Sequence, residues 1–279
     1  MGAWGASPAD RTRHPALAAR GCSIATVSSR WDVEKRDLAR EVITTLYREG
    51  LFGTWLRDRP EGWELISGNW SPFYISMRSV PSRPHVFRLL VKAISRLIEN
   101  EVGGANRLLG LATTAIPLAA GVAYAEGIPM SFTRKLPNVR SLEDLERDVA
   151  LYGGHSLVEG DFTQGDRVAI LDDVVNLFDS KEIAVRQLEL EMAKRGIVDV
   201  DVEAIVVVVD RGRESNERAD AAGLRLASLL SFRHDGFEML RGVASEREIE
   251  VLQDYMWNFE KYQDPAVRQQ LIAEAAPVS

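Results

Sequence analysis

Residues 167–181 read RVAILDDVVNLFDSK, and the fold turns on how they are read. Val168, Ala169, Ile170 and Leu171 form a continuous apolar run with a β-branched bias, the pattern of a strand covered on both faces in a parallel sheet. The run stops at Asp172 and Asp173, and open α/β sheets bind ligands at the carboxyl ends of their strands. A turn follows, then a helical pattern over 180–194 that keeps Ala184, Leu188 and Met192 on one face. The order strand, acid pair, turn, helix suits a phosphorylated ribose. Acids accept hydrogen bonds from sugar hydroxyls and, through them or through water, hold Mg²⁺, while a phosphate takes backbone N–H groups at a helix N-terminus.

Outward from this stretch, short apolar runs at 108–112, 129–133, 204–209 and 224–232 alternate with helical patterns such as 116–126. Alternation of that kind predicts βαβ units, hence an α/β fold with a mostly parallel central sheet flanked by helices. Upstream, Leu38, Val42, Leu46 and Tyr47 predict a helix over 37–56, and Phe87, Leu90, Val91, Ile94, Leu97 and Ile98 predict a second one behind Pro84. Downstream, Ser245 and Glu248 form a capping box ahead of Ile249, Leu252, Met256 and Phe259, predicting a C-terminal helix over 245–262. Tyr255 and Trp257 read as packing residues there. Residues 1–30 carry Ala, Gly, Pro and Arg without apolar periodicity and read as a disordered leader. No linker divides 31–279, which reads as one domain with a small N-terminal hood at 31–80 and a core at 81–235.

A net charge of −7 and a pI near 5.3 argue against a nucleic-acid partner, because phosphate neutralisation requires a basic face. The single cysteine, Cys22, excludes an intrachain disulfide framework and fits a cytoplasmic protein. No apolar run reaches the roughly 18 residues that would cross a bilayer, so no membrane association is expected.

Several segments, in order, resemble the type I phosphoribosyltransferases, and within them the orotate phosphoribosyltransferase branch. Residues 63–78, WELISGNWSPFYISMR, resemble that family's hood motif. Residues 110–135, GLATTAIPLAAGVAYAEGIPMSFTRK, resemble its pyrophosphate loop and following strand, and residues 152–174 its approach to the acid signature. VVVDRGRES at 207–215 and AGLRLASLLSF at 222–232 continue the series. The resemblance implies a type I phosphoribosyltransferase fold and a Mg²⁺-dependent transfer of 5-phosphoribose from phosphoribosyl pyrophosphate to orotate or a related pyrimidine base. It also implies a homodimer. Because such a displacement builds oxocarbenium character and releases pyrophosphate, catalysis rests on positioning and on cations.

Carried onto this chain, the resemblance gives Arg134 and Lys135 to pyrophosphate, Asp172 and Asp173 to the ribose hydroxyls and indirectly to the metal, and Arg211 to the carboxylate of the base. Tyr74 and Ile75 match residues that line the base pocket. The departures are equally definite. After the acids the family has a Thr-Thr-Gly-Gly-Ser type loop, whereas this chain has Asn176, Leu177, Phe178, Asp179 and Ser180. Leu177 and Phe178 are expected to crowd a 5′-phosphate and Asp179 to repel it, leaving Asn176 as a donor and Ser180 as a helix cap. Thr113, Thr114 and Ile66 stand where relatives carry cations or glycines. The mobile catalytic loop is replaced by 136–151, read as a capped amphipathic helix, so that only Arg140 or His155 remains to substitute for the family's lysine. Two functions are consistent with these residues: a transferase with a remodelled phosphate loop, or a non-catalytic relative that senses a nucleotide, a base or a partner.

Overall fold

The computed structural model describes residues 29–65, 68–152, 155–212, 214–234 and 236–275. All of the expected leader except its last two residues, and Ile66, lie outside the described residues.

The first helix, α1 (Arg30–Arg48), begins earlier than its apolar stripe predicts. Ser29 accepts a hydrogen bond from the Asp32 amide while the Asp32 carboxylate accepts one from the Ser29 amide, a reciprocal cap that sets the start. Gly50, in the left-handed region, turns the chain at the other end, and residues 51–56 leave the helix. Two short antiparallel pairs make the hood: β1 (Phe52–Thr54) with β4 (Phe73–Ile75), and β2 (Trp63–Glu64) with β3 (Trp70–Ser71).

Then α2 (Pro84–Leu97), β5 (Arg107–Gly110), α3 (Ala115–Glu126), β6 (Met130–Thr133), α4 (Leu142–Tyr152) and β7 (Val158–Glu159) follow. The chain continues through β8 (Arg167–Val175), α5 (Asp179–Arg195), β9 (Asp201–Asp210), α6 (Ser215–Ala221) and β10 (Leu226–Ser231). It closes with α7 (Glu246–Trp257), a short 3₁₀ turn and α8 (Pro265–Ala275), the last of which lies beyond the expected C-terminal helix. The central sheet runs β10-β9-β8-β5-β6-β7, parallel except for the edge strand β7. Its register sets Leu171 beside Gly110 and Gly110 beside Phe132. The loops after β6, β5, β8 and β9 therefore leave from one edge of the sheet.

Both faces are covered, as the apolar run of β8 requires. Ala169 and Leu171 pack with α1, α2, the hood and α7, while Val168 and Ile170 pack with α5. Leu136, Leu145 and Leu157 make a small third cluster that docks α4 against Ile183 and Leu190 of α5. Glu248 ties α7 to the front of the chain. Buried at the start of that helix, it accepts hydrogen bonds from Tyr47, Thr54 and Ser245. Burial and the adjacent carboxylate push the Tyr47 phenol up to about 12. Tyr255 is buried as expected, but Trp257 is 62% exposed, with Arg233 over its ring.

Candidate functional site

The acids are not at the end of their strand. β8 continues through Asp172 and Asp173 to Val175, because β9 keeps pairing with it, Asp172 beside Val207 and Val174 beside Val209. Successive strand residues point to opposite faces, so Asp172 continues the Val168–Ile170 face toward α5. There it meets Lys181, whose ammonium donates to Asp172 Oδ2 at 2.7 Å, to the Val174 carbonyl at 2.7 Å and to Ser180 Oγ at 3.2 Å. The lysine is 2% exposed. The other Asp172 oxygen accepts from the Asp173 amide, and Asp173 Oδ1 accepts from the Val174 amide. Burial, then the Asp172 charge, push the Asp173 carboxyl up to about 7, with Lys181 pulling the other way.

The loop after the acids sends its two large apolar side chains in opposite directions. Phe178 adopts φ +64°, a left-handed conformation that usually falls to glycine, and its ring is buried against the α5 face of the sheet. That backbone costs an L-residue roughly 1–2 kcal/mol, and burying a Phe side chain returns about 1.5–3 kcal/mol. Leu177 turns outward and is 56% exposed. Asp179 is not a free charge, since Arg218 donates to it at 2.7 Å, to Glu182 at 2.9 Å and to the Leu177 carbonyl. Ser180 does not cap α5: Phe178 occupies the N-cap position without a side-chain hydrogen bond, and Asp179 and Glu182 supply negative charge to the first turn instead.

A cleft of about 300 Å³ opens beside this loop. Leu65 and Asn69 of the hood, Asn176 and Leu177, and Arg211, Glu214 and Arg218 form its sides, and Tyr255, Met256, Phe259 and Glu260 close it from the C-terminal segment. Arg211 is the cation of interest. Its backbone N–H donates to the Val175 carbonyl, which fixes it just past the end of β9. Its guanidinium lies 4.3 Å from the Phe73 ring centre and donates to Ser71 Oγ at 3.0 Å. Burial lowers its pKa, and Tyr255 and Tyr74 oppose that shift. Among the described residues no carboxylate pairs with it. A desolvated guanidinium with no ion pair, at the wall of a cleft, has the planar donor geometry that matches a carboxylate. Gly212 makes the turn possible, because a Cβ there would overlap Ser215 Oγ and the Asn176 carbonyl. Asp210, raised by burial, receives Gly212 N–H and Ser215 Oγ–H.

The remaining sequence candidates divide. Asn176 lines the cleft. Tyr74 stacks on Trp63 at 6.3 Å and Ile75 is buried in the main core, so neither lines the cleft as expected. Arg134 and Lys135 leave the same sheet edge from β6, with Arg134 3.6 Å from Glu159 and Lys135 exposed. Arg140 and His155 flank the docked α4. Thr113 and Thr114 stand in the loop after β5, where Gly110 lets α3 approach. Sequence reasoning missed Lys181, although its phase is readable, since it shares a helical face with Ala184 and Leu188. It also missed Arg218, which carries no such signal, and the contribution of α7.

As to a metal, no three His, Cys, Asp or Glu side chains converge among the described residues. The donor set at the acid pair, Asp172 with Asp173, fits a metal that shares its coordination with a phosphorylated ligand.

No family model matches the chain. It is 31% identical over 167 residues to the orotate phosphoribosyltransferase of Methanothermobacter thermautotrophicus, an alignment covering 60% of this chain and 80% of that one. It is 26% identical to the enzyme of the same name from Sulfolobus acidocaldarius, covering 69% and 87%. The uridine 5′-monophosphate synthase of Bos taurus aligns at 32% identity over 59% of this chain but only 30% of its own length. Among solved structures, Leishmania donovani UMP synthase superposes with a TM-score of 0.63 at 20% identity, covering 79% of this chain and 42% of that one. Orotate phosphoribosyltransferase from Aeropyrum pernix superposes with 0.55 at 23%, covering 71% and 96%. These two likenesses concern the fold, a type I phosphoribosyltransferase α/β sheet. On the sequence relatives, with the fold in agreement, the chain belongs to the orotate phosphoribosyltransferase family.

Proposed function

We propose that the protein transfers 5-phosphoribose from phosphoribosyl pyrophosphate to orotate or a closely related acidic pyrimidine, releasing pyrophosphate. The observation that carries this reading is Arg211. A guanidinium buried on Phe73 and unpaired with any described carboxylate wants a planar anionic group, and an orotate carboxylate accepts it bidentately. The acid pair Asp172–Asp173 lies one strand away and, through Asp173, would take a ribose hydroxyl. Mg²⁺ would be held by pyrophosphate oxygens and supply charge neutralisation, with the acids reaching it through the sugar or water. Arg134 and Lys135, two strands further along, would hold the leaving pyrophosphate.

A second reading, a non-catalytic sensor, is favoured by one feature. The first turn of α5 carries Asp179 and Glu182, both paired with Arg218, and so sets negative charge at the helix start that a phosphate would approach. Calorimetric titration with phosphoribosyl pyrophosphate and Mg²⁺, followed by orotate with ultraviolet detection of its loss, decides between the two. Binding with turnover supports the transferase. No binding at millimolar sugar pyrophosphate sinks it.

A further inference from the structure

The glycines that a phosphate loop normally uses are gone, yet the loop is not loose. Lys181 gathers it. All three ammonium protons are committed, to Asp172 Oδ2, to the Val174 carbonyl and to Ser180 Oγ, so a single buried side chain joins the acid strand, the outgoing backbone and the first turn of α5. The Lys181 amide also donates to the Phe178 carbonyl at 2.8 Å, closing the turn in which Phe178 is folded inward and Leu177 outward.

The consequences for the acids are specific. Both oxygens of Asp172 are occupied, one by Lys181 and one by the Asp173 amide, and that side chain is 14% exposed. Its rotamer is fixed, and its charge is compensated before any ligand arrives. Asp173 accepts from the Val174 amide, its carboxyl lies against that of Asp172, and no described cation forms an ion pair with it. The pair is therefore unequal: Asp172 is ion-paired to Lys181, and Asp173 is not.

We propose that Lys181 is a positioning residue for the sugar pyrophosphate site: it locks Asp172, which leaves Asp173 to meet the ribose, and holds the loop from Val174 to Ser180 in the form that buries Phe178 in the core. This rests on the transferase reading above. The role lies in the geometry of Asp172 and the loop. It therefore acts on the sugar pyrophosphate and leaves the base, which Arg211 holds, unaffected.

The test is steady-state kinetics of the full chain as wild type, K181M and K181R. In K181M the KM for phosphoribosyl pyrophosphate rises at least ten-fold while the KM for orotate stays within two-fold, and K181R restores at least half of that loss. An equal rise in both constants, or no rise, overturns the proposal. Should K181M fail to fold, D172N is compared with D172N/K181M, in which no buried charge is left unpaired. Equal sugar pyrophosphate affinity in those two variants supports action through Asp172, and a further large loss in the double variant overturns it. A wild-type protein that neither binds nor turns over the sugar pyrophosphate overturns the function proposed above and this inference together. Normal wild-type turnover with an indifferent K181M removes only the inference.

Discussion

Arg211 and Ser71 are 140 residues apart in sequence, and their side chains meet at 3.0 Å beneath the hood. The serine hydroxyl and the Tyr255 phenol that also meets the guanidinium are both neutral, so no described group cancels the buried positive charge. Arg211→Met is expected to raise the orotate KM by roughly 10- to 100-fold, the value of a charge-assisted hydrogen-bonded pair of about 1.5–3 kcal/mol. The same change should leave the melting temperature level or raise it, because an uncompensated buried charge is removed. Kinetics and thermal melts on one preparation check both halves, and a melting temperature lowered by many degrees with unchanged KM would refute the assignment.

Asp173 gives the site a pH signature. Its carboxyl titrates near 3.8 in the unfolded chain and at about 7 in the folded one. Below pH 4 both states are protonated and nothing is contributed. Between about 4 and 7 the unfolded chain ionises first, so stability falls as pH rises, by a total on the order of a few kcal/mol. Melting temperatures of wild type and Asp173→Asn across pH 4.5–8 should diverge, with the variant lacking this fall and more stable at pH 8. Parallel curves would show that the carboxyl is not held protonated by the fold.

Gly212→Ala is expected to disable the cleft and cost stability together. Its Cβ would strike Ser215 Oγ and the Asn176 carbonyl, and the latter is backbone with no rotamer to yield. A loss of about 2 kcal/mol or more by denaturant titration, with orotate binding abolished, is the expected result. A variant with normal stability and binding would mean that the turn after β9 is more open than described.

Leu145 anchors α4, and it is fully buried with Leu136 and Leu157. Leu145→Ala should cost about 2–4 kcal/mol locally, undocking the helix from α5 rather than unfolding the sheet. Limited proteolysis is expected to cut between residues 136 and 157 faster in the variant than in wild type. Equal cleavage rates would place the anchorage elsewhere.

The sheet was legible because burial on both faces writes itself as unbroken apolar runs, as in Val168 to Leu171 and Ala204 to Val209. Where elements begin and end was less so. The start of α1 rests on Ser29 and Asp32, ahead of the apolar stripe, and β8 passes beyond Leu171 because its partner β9 does, a fact held in another segment. Of the site, the acids and Arg211 could be read from local pattern together with resemblance. The loop could not. A phenylalanine in a left-handed conformation is a tertiary outcome, decided by the space available beside Val175 and Ala184, and no local rule assigns it. Lys181 stood in view, a charged residue at an apolar helical phase, and only its partner was hidden.

The cleft draws on residues from Leu65 in the hood to Glu260 near the end of the chain, and Glu248 fastens that last portion to Tyr47 and Thr54. During synthesis, then, the sheet with its acids can assemble on the ribosome while the wall opposite Arg211 is still inside the exit tunnel. A chain cut ahead of Tyr255 would keep the sheet with its acids and lack the C-terminal lining of the cleft.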